Sequence, residues 1–166
     1  GVPQTLSLKS MLEEFVAHRQ EVVRRRTEYD LRRAKEREHI LLGLKKALDH
    51  IDRVISIIRA SKDSAVAKLN LMKEFKFSEL QTIAILEMRL QKLAGLERKA
   101  VEEELKAKQA FIKECEILLA SEKKILGVIA SELKDIKEKY GDDRRTRVVK
   151  GGVQQISEED LIPEKE

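Results

Sequence analysis

The stretch Phe75–Glu97, FKFSELQTIAILEMRLQKLAGLE, decides how the rest of the chain is read. It is short and apolar, and it lies between two long charged segments. Ser78 followed by Gln81 has the spacing of a capping box, which predicts a helix start. Gly95 sits where a left-handed residue would close that helix. Between the two signals, Ile83, Leu86, Leu90 and Leu93 share one face at helical spacing. Ile85 and Met88 define a second apolar face. A small helical cluster needs one such face for its own core. The second face therefore reads either as a partner surface or as part of a fully buried helix.

Upstream, Ser61-Lys62-Asp63-Ser64 reads as a turn with an N-cap. The short helix expected after it would place Val66, Leu69, Met72 and Phe75 on one side. Before the turn, Leu41, Leu44, Leu48, Ile51, Ile55 and Ile58 step by three and four, the seam of a coiled coil. Further back, Arg24–Glu38 offers only Tyr29, Leu31 and Ala34 for burial but contains no Gly or Pro. It reads as a solvated arm of the same helix. Ser7 or Ser10 is expected to cap this helix, and Leu12, Phe15, Val16, Val22 and Val23 open its apolar stripe. From about Ser10 to Arg59 it would measure roughly 75 Å. So polar a helix needs a packing partner. Asp49–Asp52, rich in poor helix formers, is the expected point of any bend.

Downstream, a second long helix is expected from Glu97. Val101, Leu105, Lys108, Ile112, Cys115 and Leu119 keep heptad spacing, and Leu126, Ile129, Leu133, Ile136 and Tyr140 continue it in phase. Ala120-Ser121-Glu122 interrupts the run and predicts a joint, with Ser121 as cap and hinge. Gly141 ends the helix. Thr146–Val149 and Val153–Ile156 around Lys150-Gly151-Gly152 resemble a strand, a turn and a second strand.

The expected fold is all-α: a long antiparallel two-helix coiled-coil stalk carrying a small helical globular knob. Residues 1–59 form the lead-in and first stalk helix, 60–96 the knob, 97–141 the returning helix with its joint near 121, and 142–166 a β-like connector and linker. Counting back from the junction sets Leu126–Tyr140 opposite about Phe15–Tyr29.

Composition agrees with this architecture. Charged residues make up 39% and aromatics 4% of 166 residues, with two prolines, a balance typical of long helices. An apolar share of 42% is too high for a disordered chain, so a packed seam is required. The net charge of +4 permits DNA contact without arguing for it. One cysteine, Cys115, excludes an internal disulfide and fits a reducing, cytoplasmic setting. Neither a membrane span nor a signal peptide is evident. The abrupt start and acidic end read as those of a piece of a larger protein.

Chemistry-bearing motifs are scarce. No glycine loop to cradle phosphate is present. His18, His39 and His50 lack the spacing of metal ligands. Cys115 lies on the seam as a small hydrophobe, and no acid–base pair stands out. Arg24, Arg25 and Arg26, and Arg144, Arg145 and Arg147, read either as solvated or ion-paired faces or as contacts to DNA or to a larger body. A plain hairpin would not need an insert of about 35 residues, which weighs against a simple structural coiled-coil tether. The near-neutral second arm weighs against a basic DNA binder.

Several strings resemble bacterial DNA gyrase A subunits: Val22–Leu31 (VVRRRTEYDL), His39–Leu44 (HILLGL), Ala47–Asp52 (ALDHID), Ile57–Lys62 (IIRASK), Ala84–Glu97 (AILEMRLQKLAGLE) and Tyr140–Thr146 (YGDDRRT). They are collinear over about 125 of the 166 residues. The topoisomerase IV A subunit is the nearest alternative, and Gly95-Leu96-Glu97 looks more like gyrase. Ala94 departs from an expected Thr.

The resemblance implies the coiled-coil and exit-gate (C-gate) segment of a type IIA topoisomerase, in which the knob pairs with its twin to close the gate through which transported DNA leaves. Gln81, Ile85, Met88, Arg89 and Lys92 are then the expected homodimer contacts. It also implies that the fragment alone is not an enzyme and binds no cofactor. The catalytic tyrosine of that family lies in another context, which Tyr29 and Tyr140 do not match. ATP and Mg²⁺ belong to the other subunit. The expected partners are the rest of gyrase A, gyrase B and, transiently, DNA. Val148–Leu161 resembles the connector to a DNA-wrapping domain.

Overall fold

In a computed structural model of the chain, residues 5–87 and 96–146 are described. They form α1 Leu8–Asp49, α2 Ile51–Ala60, α3 Ser64–Phe75, α4 Glu79–Glu87, α5 Leu96–Leu119 and α6 Glu122–Tyr140, and no strand occurs among the described residues. The chain divides into two units, Gly1–Glu132 and Leu133–Glu166. The strand-like connector expected after Thr146 lies outside the described residues.

Ser7 rather than Ser10 caps α1, its hydroxyl accepting from the Ser10 amide at 3.2 Å. The helix then runs for 42 residues. Val23, Thr27, Ala34, Leu41, Leu44 and Leu48 form its buried stripe. Thr27 is accommodated there because its hydroxyl donates to the Val23 carbonyl at 2.8 Å. In the polar arm Ala34 is buried, whereas Tyr29 is exposed beneath the Arg32 guanidinium.

The first helix, expected to reach Arg59 with any bend at Asp49–Asp52, is divided within that stretch at His50, where φ is −124° and ψ is 36°. The His50 amide donates to the Ala47 carbonyl, a tighter i→i−3 bond. Its ring stacks on Phe75 with centroids 5.8 Å apart. Beyond this break the buried position is Val54, one residue before the expected Ile55.

Asp63 caps α3 by accepting from the Val66 amide at 2.8 Å. The buried positions of this helix are Ala67 and Leu71, four residues apart, whereas Val66 and Leu69 are exposed. The expected apolar side is thus rotated, with only Met72 and Phe75 partly buried. The helix ends at Lys76 in the left-handed region, φ 54°. Lys46 caps its C-terminus, donating to the Phe75 carbonyl at 2.7 Å. Leu44, Ala47, Val54, Leu71, Phe77 and Ile85 close a core between the end of α1 and α2–α4. Burying Leu71 completely stabilises the fold by roughly 2 kcal/mol.

Helix α5 returns antiparallel to α1. Arg98 pairs with Asp49, Glu104 with Arg37 and Glu116 with Lys35, so positions rise along one helix as they fall along the other. Leu105, Ile112 and Cys115 are buried, following the expected heptad. In the second unit, α6 closes at Tyr140, and the Gly141 amide donates to the Lys137 carbonyl at 2.8 Å. A Cβ at Gly141 would collide with that same oxygen, which accounts for glycine at the stop.

Candidate functional site

The capping box of α4 is reciprocal. The Gln81 amide donates to Ser78 Oγ at 3.2 Å, and the Ser78 amide donates to Gln81 Oε1 at 3.0 Å. Both side chains also reach α1. Gln81 Nε2 donates to the His39 carbonyl at 2.8 Å, and Ser78 Oγ lies 2.7 Å from His39 Nε2. Gly43 makes the approach feasible: a Cβ there would stand 2.6 Å from Gln81 Cγ.

This docking fixes which face of α4 turns inward. Thr82 is fully buried, its hydroxyl donating to the Ser78 carbonyl at 2.8 Å. Ile85, one turn on, is 5% exposed and joins the core. Ile83 is 36% exposed and Leu80 64%. Ile85 therefore faces inward and Ile83 outward, while Leu86, grouped with Ile83 in the expected face, packs against the core. Gln81 and Ile85, expected to face a second copy, are engaged within one protomer because the capping box and Gly43 roll that face onto α1. The other expected contacts, Met88, Arg89 and Lys92, lie outside the described residues, as do Leu90, Leu93 and Gly95. Leu80 and Ile83 on α4, with Val66 and Leu69 on α3, leave apolar side chains exposed on two helices joined by a Lys68–Glu79 pair.

A second feature is the interruption between α5 and α6. The Ser121 amide donates to the Leu118 carbonyl at 3.3 Å, a three-residue step, and the Ser121 carbonyl accepts from the amides of Lys124 and Ile125. Regular i→i−4 bonding therefore ends with the Ala120 amide on the Glu116 carbonyl and resumes with the Ile125 amide on the Ser121 carbonyl. The expected phase does not carry across. Ile125 is buried at 1% while Leu126 is 41% exposed. Val23, Ile125 and Ile129 form a small core, with Leu118 and Val128 beside it. Val23, expected in the apolar stripe of α1, is fully buried there.

Glu132 completes this contact. One oxygen accepts from Arg19 at 2.5 Å, the other from Arg26 at 2.7 Å. The hydrogen bond from Arg26 is the main reason its carboxyl is held below the usual carboxylate range, with Arg19 adding to it. Of the basic positions read either as ion-paired faces or as contacts to DNA or a larger body, Arg26 is paired with Glu132 and Arg25 with Glu21. Arg24 is partly buried; Arg144 and Arg145 are exposed. Neither Arg19 nor Glu132 stood out in sequence, because charges flanking a seam read as solvated. The available signal was spacing: Arg19 and Arg26 bracket Val23, and Glu132 lies seven residues after Ile125.

Among the described residues no cluster of three His, Cys, Asp or Glu side chains can hold a metal ion, and no helix is long and apolar enough to cross a membrane. Cys115 is a buried thiol, its pKa raised mainly by desolvation.

Residues 1–134 match the family model for the A subunit of DNA gyrase and topoisomerase IV. The chain belongs to this family. It is similar to the DNA gyrase A subunits of Staphylococcus aureus strains MRSA252, Mu50 and NCTC 8325, being 48% identical to each over all 166 residues. It spans 19% of the length of those relatives. Relative to them, the segment therefore corresponds to a helical portion of a much longer chain.

Proposed function

We propose that this segment is the dimerisation and exit-gate module of a DNA gyrase A subunit. In this reading α1 with α5 and α6 forms an antiparallel coiled-coil stalk, and α2–α4 form the knob that meets a second copy. The observation that carries the reading is the exposed apolar set Leu80, Ile83, Val66 and Leu69, on a cluster that already has its own core. Isologous pairing lets one patch serve both protomers. Met88, Arg89 and Lys92 extend the proposed contact, while Gln81 and Ile85 support it from beneath.

The segment holds the gate and performs no chemistry. Cleavage of DNA belongs to another part of the gyrase A chain, while ATP and Mg²⁺ act through the partner B chain in the cytoplasm. Arg24, Arg144 and Arg145 are available to passing DNA or to the body of the enzyme. The interruption at Ser121 supplies a hinge, since gates flex at the ends of elements. Because the matching family model covers both enzymes, the equivalent role in topoisomerase IV is the second reading.

The test replaces Ile83 and Leu80 with Glu in the full-length protein, reconstituted with its B partner. Supercoiling or decatenation is expected to fall several-fold more than DNA cleavage. Equal loss of both activities, or no loss of either, contradicts an exit-gate role. Ser121→Ala in the same background is expected to slow strand passage while sparing cleavage.

A further inference from the structure

Helix α6 carries two overlapping apolar stripes, of which only one is buried. The buried stripe is Ile125 and Ile129 against Val23, with Glu132 next along the same face. The other, in heptad phase with the α5 seam of Leu105, Ile112 and Cys115, contains Leu126 and Ile129 and continues through Leu133 and Ile136. Leu126, Leu133 and Ile136 are exposed by 41%, 40% and 54%. Ile129 is common to both stripes. Because they share Ile129, their mean directions differ by about half a residue's turn, roughly 50° about the helix axis.

The interruption at Ala120–Ser121 is what shifts the phase. A helix continuing unbroken from Leu119 would present Leu126; the break presents Ile125 instead. Exposing a leucine in order to bury an adjacent isoleucine gains little apolar area. The difference between the two alignments is electrostatic. Only the observed one brings Glu132 between Arg19 and Arg26, where one carboxylate accepts from two guanidinium groups. At these sites the Arg19 and Glu132 side chains are 29% and 30% exposed, so solvent screens the bridge only in part.

We propose that the start of α6 is a two-register element. In the observed register Ser121 is out of the helix, Ile125 is buried and Glu132 bridges Arg19 and Arg26. In the second register the helix runs unbroken from α5, Leu126 replaces Ile125 against Val23, and Glu132 leaves the two arginines. The Glu132 bridge selects between them. Packed apolar surfaces with two alternative alignments switch rather than deform continuously. The use of this switch in gate motion rests on the function proposed above; its existence does not.

The test reads the register directly in the chain itself. Cys115→Ala removes the native thiol, and Ile125→Cys or Leu126→Cys introduces a single reporter for iodoacetamide. In the parent background, Cys at 125 is expected to react several-fold more slowly than Cys at 126. Adding Glu132→Gln with Ser121→Ala is expected to invert this order. A disulfide between Val23→Cys and Leu126→Cys is then expected to accumulate only in the altered background, with circular dichroism showing helical content retained. If both reporters become fast, α6 has merely detached, and the two-register proposal fails. It fails equally if neither rate changes. Failure of the gate reading has a separate signature, a segment that stays monomeric while its registers still exchange.

Discussion

Gly43 lies within a long helix, where replacing glycine by alanine ordinarily stabilises by about 1 kcal/mol. Here the sign reverses. The added methyl would meet Gln81 Cγ at 2.6 Å and Cβ at 2.8 Å, atoms too near the α4 backbone to swing aside. Gly43→Ala is expected to destabilise by about 1–3 kcal/mol, the range for overpacking. Gln81→Ala in the same chain should recover part of that loss. Urea unfolding of the two single variants and the double variant checks this, and additive losses would mean the contact is not limiting. Leu71 is the second test at this scale. It is fully buried in the α1–α4 core, so Leu71→Ala is expected to cost about 2–5 kcal/mol. A loss below about 1 kcal/mol in the urea midpoint analysis would mean that this core is not formed as described.

At the scale of elements, long-period signals were the legible ones. The α5 seam of Leu105, Ile112 and Cys115 follows its heptad, and the box of Ser78 and Gln81 marks the start of α4. Short helices were less readable. In α4 apolar residues occur on most sides, so periodicity does not choose a face; the approach at Gly43 does. The phase of α6 was hidden for a different reason: it depends on the Ser121 interruption and on arginines far away in sequence. These ion pairs give the pairing of α1 with α5 and α6 an acid limit. Glu132 is held low chiefly by its bond from Arg26, and Glu104 chiefly by its bond from Arg37. Carboxyls lowered in the folded state add stability that is complete above the unfolded value, about 4.3, and is lost as pH falls through the folded value. The thermal midpoint is therefore expected to be flat from neutral pH to about 5 and to fall below about 4. Glu132→Gln should make that acid limb shallower, whereas an unchanged limb would remove Glu132 from the account.

At the scale of the whole molecule the question is what covers the exposed apolar residues of α3 and α4. Leu80 at 64% and Leu69 at 66% exposure are costly on helices that already close a core beneath them. In the function proposed above, a second copy covers them and gives the gate its two halves. Sedimentation equilibrium of the 166-residue chain from low to high micromolar concentration measures the central claim most directly. The account predicts a species of about twice 19.1 kDa that Leu80→Glu with Ile83→Glu converts to a helical monomer. A chain that remains at 19.1 kDa throughout, or a dimer indifferent to those two substitutions, would contradict it.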